Sequence, residues 1–230
     1  MIEQFASAKP LSTAKPALPK LYLLTNDDEF ELLMAKLEVA LATGAIKLLQ
    51  IRRKKVLALL DGAAQLYREA QQIVALANKY QVAVVINDDI ELARKLGVGV
   101  HLGQTDGSIA EAKRQLGTEQ IIGRTCHDSV ELVKEAQAQG ASYAAMGAVF
   151  SSNTKPNAKT VSRTQLLAGC KQAIDICVIG GLSVENIHQL RGLPISYIAL
   201  VGDIMELSVD NIASRCQQWQ QALSGWNESD

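Results

Sequence analysis

The sequence predicts an α/β fold, a single (β/α)₈ TIM barrel preceded by a short disordered leader. Eight short apolar runs alternate with eight amphipathic stretches over about 200 residues, and this alternation is typical of that barrel. A doubly wound open sheet is the alternative, but no G-x-G-x-x-G motif follows the first apolar run. The count of eight favours the barrel, whose active site lies on the loops that follow the strands.

The leader is predicted to span residues 1–20, and the barrel domain residues 21–230. Pro10, Pro16 and Pro19 stand in the leader among Ala, Ser, Thr and Lys, a composition typical of disordered or loosely packed chain. The first residues include an acidic side chain and no apolar core, so they are unlike a secretory signal.

The apolar runs are too short for helices and do not alternate with polar residues, which is typical of strands buried on both faces. They predict strands at residues 21–25, 46–52, 82–86, 98–102, 120–123, 143–149, 174–179 and 195–201. Amphipathic periodicity predicts the intervening helices. These are expected at residues 30–42, 62–79, 90–96, 108–116, 129–138, 163–171, 184–190 and 210–223.

Composition excludes several classes of protein. The chain has 230 residues, is 48% hydrophobic and carries a formal net charge of −1, which argues against binding to nucleic acid or a membrane surface. No apolar run reaches the ~20 residues of a transmembrane helix. Four cysteines without a C-x-x-C pair indicate reduced, buried thiols in a cytoplasmic protein. They are Cys126, Cys170, Cys177 and Cys216. The sequence leaves open a homo-oligomer.

Two carboxylates follow successive strands of one predicted β-α-β unit. Asp88 and Asp106 come just past the carboxyl ends of the third and fourth strands, and therefore lie on one rim. Facing carboxylates raise each other's pKa unless a cation lies between them. Mg²⁺, which binds a few carboxylates together with substrate phosphates, suits such a pair. The alternative is that each aspartate caps the helix that follows it.

Other strand ends also carry polar groups. Residues 52–55 are four consecutive cations, either a solvated basic loop or an anion clamp with Arg52 as a bidentate fork and Lys54 as a point charge. Thr125 and His127 follow the fifth strand, where a lone histidine is more often a loop residue than a catalyst. The polar loop 151–159 is either a binding loop or disordered.

Bare backbone amides follow the last two strands. Gly180 and Gly181 come after the seventh strand, and Val201 and Gly202 end the eighth. Phosphate sites built from these two loops recur in (β/α)₈ barrels, so we expect an anion to bind there.

Five segments together resemble the thiamine-phosphate synthase family. They are L-x-Q-x-R-x-K at 48–54, INDDIELA at 86–93, VHLGQTD at 100–106, VF-x-S-x-TK at 149–155 and IGGLSVEN at 179–186. The similarity extends from residue 21 to about residue 223, in the order and spacing of the family.

The resemblance implies the joining of two small molecules, a hydroxymethylpyrimidine diphosphate and a thiazole phosphate, to give thiamine phosphate and pyrophosphate. Loss of pyrophosphate leaves a pyrimidinylmethyl cation that the thiazole nitrogen attacks. Mg²⁺ on Asp88 and Asp106 would stabilise the departing charge. The implied catalytic residues are Arg52, Lys54, Thr125 and Lys155, and the implied substrate-binding residues are these four with Gln50, Asn87, Ser152, Thr154, Gly180, Gly181, Val201 and Gly202.

The chain departs from the family at three places. Thr125 stands where a serine is usual and keeps the hydroxyl, and Arg53 replaces an acidic residue. Asp203 puts a carboxylate beside the expected phosphate amides. A carboxylate pointing at the phosphate would cost ~3 kcal/mol per unit charge at about 5 Å. We therefore expect Asp203 to turn away into water and cap local backbone.

Two other functions stay open. One is a thiazole tautomerase, a relative on the same barrel in which the rim histidine, here His127, transfers a proton. The other is a non-catalytic protein that binds a phosphate ligand. The tautomerase does not need the two metal carboxylates, which are present here together with the Q-x-R-x-K segment, and only Asp203 and the leader favour the non-catalytic protein.

Overall fold

The computed structural model describes residues 18–151 and 160–226. Eight parallel strands form a closed barrel in sequence order, and the last strand pairs with the first. They are β1 (Lys20–Leu24), β2 (Ile46–Ile51), β3 (Ala83–Asn87), β4 (Gly99–Leu102), β5 (Ile122–His127), β6 (Tyr143–Gly147), β7 (Asp175–Ile179) and β8 (Tyr197–Leu200). The predicted TIM barrel is confirmed.

Helices surround the barrel. They are α1 (Phe30–Ala42), α2 (Lys54–Leu57), α3 (Gly62–Lys79), α4 (Ile90–Leu96), α5 (Ile109–Leu116), α6 (Val130–Gln139), α7 (Arg163–Cys170), α8 (Gly202–Met205) and α9 (Val209–Ser224). A 3₁₀ turn (Ile187–Leu190) lies between β7 and β8.

Two apolar layers explain why the strands read as continuous hydrophobic runs. In β1, Leu21 and Leu23 belong to the cluster between barrel and helices, whereas Tyr22 and Leu24 belong to the cluster inside the barrel. Successive side chains of a strand point to opposite faces, and here both faces are buried. The ring of Tyr143 packs directly against Gly123, and a Cβ at position 123 would collide with that ring.

The N-caps of α4 and α5 show whether Asp88 and Asp106 cap helices. Asp89 caps α4 by accepting from the Leu92 amide at 2.8 Å, and Ser108 caps α5 by accepting from the Glu111 amide at 3.0 Å. The interpretation of Asp88 and Asp106 as caps is therefore wrong. Each cap lies one or two residues further along the chain, so neither of the two predicted metal ligands is used to begin a helix.

Two elements differ from the prediction. β5 begins and ends later than expected, and its polar Arg124 and Thr125 lie within the strand. The expected helix at 184–190 is only the 3₁₀ turn. The Asn186 side chain explains this, since it donates to the Gly181 carbonyl at 2.7 Å and accepts from the Ser183 amide at 2.9 Å. Such bonds compete with helical ones. The short helices α2 and α8 were not predicted.

The leader lies outside the described residues up to residue 17, and Lys20, which we assigned to it, begins β1. Ser152, Thr154 and Lys155 also lie outside the described residues. All four cysteines are free thiols, and Cys170 is half-buried rather than buried. None of the helices in the described ranges is long and apolar enough to span a membrane.

Candidate active site

A cavity of about 710 Å³ lies at the carboxyl ends of β2, β3 and β4. Its lining includes the apolar side chains of Leu57, Leu66 and Ile90. It also includes five of the predicted site residues. They are Arg52, Lys54, Asn87, Asp88 and Asp106.

The backbone of Arg52 is fixed by a buried hydroxyl. Its amide donates to Thr25 Oγ1 at 2.8 Å, and that hydroxyl donates to the Arg52 carbonyl at 3.2 Å. Thr25 is 1% exposed. Within residues 18–151 and 160–226, no carboxylate forms an ion pair with the Arg52 guanidinium, so this cation remains available to an anion in the cavity.

Arg53 has a different role from its neighbours. It is 4% exposed and pairs with Glu69 at 2.9 Å. Its guanidinium also donates to the carbonyls of Asn26 and Asp28, at 2.9 Å and 2.6 Å. The run of four cations is therefore not a uniformly solvated loop. All three of Arg52, Arg53 and Lys54 line the cavity, but Arg53 also ties the β1–α1 loop to α3.

Asp88 is oriented by three contacts. Its Oδ2 accepts from Asn87 Nδ2 at 2.6 Å, and its Oδ1 accepts from the Gly103 amide at 3.3 Å. Lys54 Nζ lies 3.7 Å from Oδ2. The backbone of Asp88 has φ +66°, a left-handed conformation that aspartate tolerates better than most residues.

The carboxylates of Asp88 and Asp106 converge on Gly103. A Cβ at Gly103 would collide with Asp106 Oδ2 and lie 3.7 Å from Asp88 Oδ1. This donor set fits Mg²⁺, which often binds one or two carboxylates and completes its shell with water and phosphate oxygens. In the described part of the chain, no third acidic, histidine or cysteine side chain joins them.

Gln50 is connected to the carboxylate pair through Asn87. Its Nε2 donates to Asn87 Oδ1 at 3.0 Å, and Asn87 in turn donates to Asp88. Gln50 is 2% exposed and does not line the cavity, so it lies on the barrel side of Asn87. A single amide side chain thus links the barrel mouth to the carboxylates.

Thr125 belongs to a hydrogen-bond chain that the sequence did not predict. Its Oγ1 lies 2.9 Å from His101 Nε2, and His101 Nδ1 lies 2.9 Å from the Tyr143 hydroxyl. That hydroxyl lies 2.8 Å from the hydroxyl of Tyr22. Burial, with a smaller contribution from the Arg124 charge, lowers the pKa of His101 to about 4, so its imidazole is neutral at physiological pH. His127, the histidine that we singled out, is exposed at the end of β5.

One signal in the sequence could have revealed His101. It is the polar member of an otherwise apolar strand, one position after Val100, which packs between barrel and helices. Alternation along the strand therefore directs His101 into the barrel. Its partner Tyr143 lies 42 residues further along the chain, and Tyr22, the partner of Tyr143, lies 121 residues before Tyr143. No local pattern in the sequence indicates these contacts.

Gly180 and Gly181 follow β7, at the same end of the barrel as the cavity but outside its lining. Both have positive φ, +101° and +64°. A side chain on Gly181 would lie 2.6 Å from the Phe150 carbonyl oxygen, so glycine is required for the close approach of this loop. In the described ranges, the Gly180 and Gly181 amides donate no hydrogen bond to the chain, and the same is true of the Val201 and Gly202 amides.

Asp203 is turned away from the rim, but it does not cap backbone or enter water. Its carboxylate accepts from Arg215 at 2.5 Å and 2.9 Å and from Trp219 Nε1 at 2.6 Å. The side chain is 8% exposed. The expected backbone cap is therefore wrong, because α9 supplies a cation and an indole N–H instead. The carboxylate that approaches Gly202 is that of Glu206, 2.9 Å from a Cβ built there.

The chain is similar to known proteins of one family and one fold. The family model for thiamine monophosphate synthase matches residues 21–204. Among solved structures, the chain is similar to thiamine phosphate pyrophosphorylase from Pyrococcus furiosus, with 24% identity, a TM-score of 0.75 and coverage of 89% of this chain and 95% of that one.

Two further structures share the fold. Thiamine phosphate pyrophosphorylase from Bacteroides thetaiotaomicron has 16% identity and a TM-score of 0.64, with coverage of 92% of this chain and 100% of that one. KGPDC from Streptococcus mutans has 12% identity and a TM-score of 0.69, with coverage of 91% and 99%. Likeness at these identities shows the barrel alone, whereas the family match spans most of the chain. The chain therefore belongs to the thiamine monophosphate synthase family.

Proposed function

We propose that this protein is a thiamine-phosphate synthase. It would transfer the pyrimidinylmethyl group of hydroxymethylpyrimidine diphosphate to the ring nitrogen of thiazole phosphate, forming a C–N bond and releasing pyrophosphate. The observation that carries the proposal is the convergence of two cations, one amide and two carboxylates on one cavity beside the barrel mouth. Family membership supports a transferase that acts on small molecules.

The cations of the cavity suit a departing diphosphate. Arg52 offers a planar fork on a backbone that Thr25 fixes, and Lys54 offers a point charge on an exposed side chain. Both would stabilise the charge that grows on pyrophosphate as its bond to carbon breaks. Lys155 would contribute a further cation; its assignment rests on the family resemblance.

Asp88 and Asp106 would hold Mg²⁺ beside Gly103. When bound, the ion would neutralise charge on the diphosphate and so make pyrophosphate a better leaving group. Asn87 keeps the Asp88 carboxylate oriented by donating a hydrogen bond to its Oδ2, and Lys54 Nζ forms an ion pair with the same oxygen at 3.7 Å. The protein's contribution here is therefore positioning rather than a nucleophile.

Gln50 and Thr125 would bind the pyrimidine at the barrel mouth. Gln50 is pre-oriented by Asn87, and Thr125 by His101. The apolar side chains of Leu57, Leu66 and Ile90 in the cavity lining would limit the access of water to a carbocation. No side-chain nucleophile is required by this reaction.

The amides of Gly180, Gly181, Val201 and Gly202 would bind the thiazole phosphate. The hydroxyls of Ser152 and Thr154 would contribute as well, an assignment that rests on the family resemblance. Asp203 does not oppose this, because Arg215 and Trp219 hold its carboxylate. We further propose a cytoplasmic protein, without nucleic-acid or membrane partners, that can act as a homo-oligomer.

The test is to incubate both substrates with Mg²⁺ and to quantify thiamine phosphate and pyrophosphate, with and without excess EDTA. The expected result is equimolar formation of both products, reduced to background by EDTA. Isomerisation of a thiazole carboxylate phosphate without metal would instead select the tautomerase with His127. Binding of the phosphates without turnover would select a non-catalytic protein, and full activity in EDTA would refute the metal assignment.

A further inference from the structure

A chain of four hydrogen-bonded side chains, buried at its tyrosine end and partly exposed at Thr125, runs from the barrel interior towards the rim. It joins Tyr22, Tyr143, His101 and Thr125 through three contacts of 2.8 Å, 2.9 Å and 2.9 Å. Tyr22 is 1% exposed and Tyr143 is fully buried. The rings of His101 and Tyr143 are nearly parallel, with centroids 5.6 Å apart, so the chain is also packed.

The number of protons in this chain determines which group donates in each hydrogen bond. Within the described residues, the Tyr22 hydroxyl has a single hydrogen-bond partner, the hydroxyl of Tyr143. If Tyr143 donated its proton to Tyr22, the Tyr22 proton would be buried without an acceptor. An unsatisfied buried donor costs about 1–3 kcal/mol. Tyr22 is therefore the donor, and Tyr143 accepts from it.

The donor in the Tyr22–Tyr143 bond then fixes the donors in the two bonds that follow. Tyr143 has one proton and can donate it only to His101 Nδ1, which must accept and so carries no proton. A neutral imidazole then carries its proton on Nε2 and donates it to Thr125 Oγ1. A protonated imidazole would donate at both nitrogens, would reverse the Tyr143–Tyr22 bond and would again leave the Tyr22 proton without an acceptor.

From this order we infer that His101 is a positioning residue, fixed as the Nε2–H tautomer, which directs the Thr125 hydroxyl to donate its own proton to the substrate. Thr125 Oγ1 accepts from His101, and in the described part of the chain its proton has no acceptor. The site therefore presents a hydrogen-bond donor at this point of the rim. A ring nitrogen with a lone pair, as in an aminopyrimidine, is the chemical group that it recognises.

This inference rests on the proposed function only for the identity of the substrate. The tautomer belongs to the protein itself and is measurable without any substrate. The chain has three histidines, so the imidazole nitrogens of His101 are readily assigned by comparison with a His101→Gln variant.

The first experiment is ¹⁵N–¹H correlation NMR of the imidazole rings in the full chain at neutral pH. The expected result is a pyrrole-type Nε2 and a pyridine-type Nδ1 at His101. A pyrrole-type Nδ1, or rapid exchange between the tautomers, would overturn the inference even if the protein makes thiamine phosphate. A failure of the synthase assay would leave this spectrum unaffected.

The second experiment compares two amides at position 101. The nitrogen of Gln reaches the position of Nε2 and can still donate to Thr125, whereas the shorter Asn can contact only Tyr143. His101→Gln is expected to retain kcat/KM for the pyrimidine diphosphate within about threefold, and His101→Asn to lose about tenfold or more. The KM for the thiazole phosphate should stay unchanged in both.

A matched pair at position 125 completes the test. Thr125→Ser keeps the hydroxyl and should keep most of the activity, while the isosteric Thr125→Val should lose as much as His101→Asn. The double variant His101→Asn with Thr125→Val should then be no worse than Thr125→Val alone, because both changes remove one interaction. Additive losses, or equal activity of Ser and Val at position 125, would contradict the inference.

Discussion

The rim of the barrel has two regions that present charge in different ways. Over β2, β3 and β4, charged side chains line the cavity. Thr25 fixes the backbone of Arg52, and Asn87 donates to the Asp88 carboxylate. The loops after β7 and β8 carry backbone amides that donate no hydrogen bond within the described residues, and the Asp203 carboxylate there is bound by Arg215 and Trp219.

The difference indicates a division of labour. A leaving diphosphate gains charge during the reaction, so oriented cations and a metal ion are useful in the first region. A phosphate that only anchors a substrate keeps its charge, and amides at the start of a helix or turn suffice in the second. At β8, Arg215 of α9 neutralises the Asp203 carboxylate, whereas the exposed Glu206 carboxylate lies near Gly202.

The largest effect is expected in the first region. Under the proposed function, Asp88→Asn and Asp106→Asn should each lower kcat/KM by about 10²-fold or more, because the carboxylates would hold an ion that stabilises the departing charge. Steady-state assays at saturating Mg²⁺ measure this loss. Asp89→Asn is the matched control, since asparagine also caps α4 well and the net charge changes equally. Equal losses in all three variants would mean that only overall charge matters.

A smaller effect on catalysis and a larger one on stability are expected in the second region. Asp203→Ala leaves the Trp219 N–H and part of the Arg215 guanidinium without a partner. It should lower the free energy of unfolding by about 2–3 kcal/mol, since Arg215 keeps Glu185. Denaturant unfolding measures this loss. The KM for thiazole phosphate should change less than about threefold. A drop of that KM by fiftyfold would show that the carboxylate opposes the phosphate.

The smallest effect belongs to the exposed partner of Arg215. The hydrogen bonds from Arg215 lower the pKa of Glu185 to about 2. A lowered carboxyl pKa adds stability above the unfolded pKa, and this stability is lost as pH falls towards 2. Glu185→Gln should therefore cost less than about 1 kcal/mol at pH 7, because the pair is exposed. Urea unfolding should show a smaller difference at pH 3 than at pH 7; an equal difference would contradict it.

Much of the fold was predictable because its signals are local. The helices at 30–42, 62–79 and 90–96 have the predicted bounds, since periodicity and nearby glycines define them. β5 was less predictable, because Arg124 and Thr125 interrupt its apolar run. The turn at 187–190 depends on the two hydrogen bonds between the Asn186 side chain and the backbone of Gly181 and Ser183, which helix propensity does not indicate.

The site was predictable only as far as residue type and strand ends go. The structure brings Arg52, Lys54, Asn87, Asp88 and Asp106 to one cavity because each lies at or shortly after the end of a parallel strand, and their roles stay predictions. The burial of Arg53 depends on Glu69, the partner of Asp203 lies on α9, and the chain through His101 needs two distant tyrosines. These contacts join residues that are far apart in sequence, so no pattern within a short segment indicates them.

The most direct test of the division of the rim is the binding of pyrophosphate with Mg²⁺, measured by calorimetry on the wild type, Asp106→Asn and Asp203→Ala. Both variants remove one carboxylate, one from each region. The account predicts that Asp106→Asn weakens binding by about tenfold or more, while Asp203→Ala leaves the Kd within about twofold. Unchanged binding by Asp106→Asn together with altered binding by Asp203→Ala would contradict it.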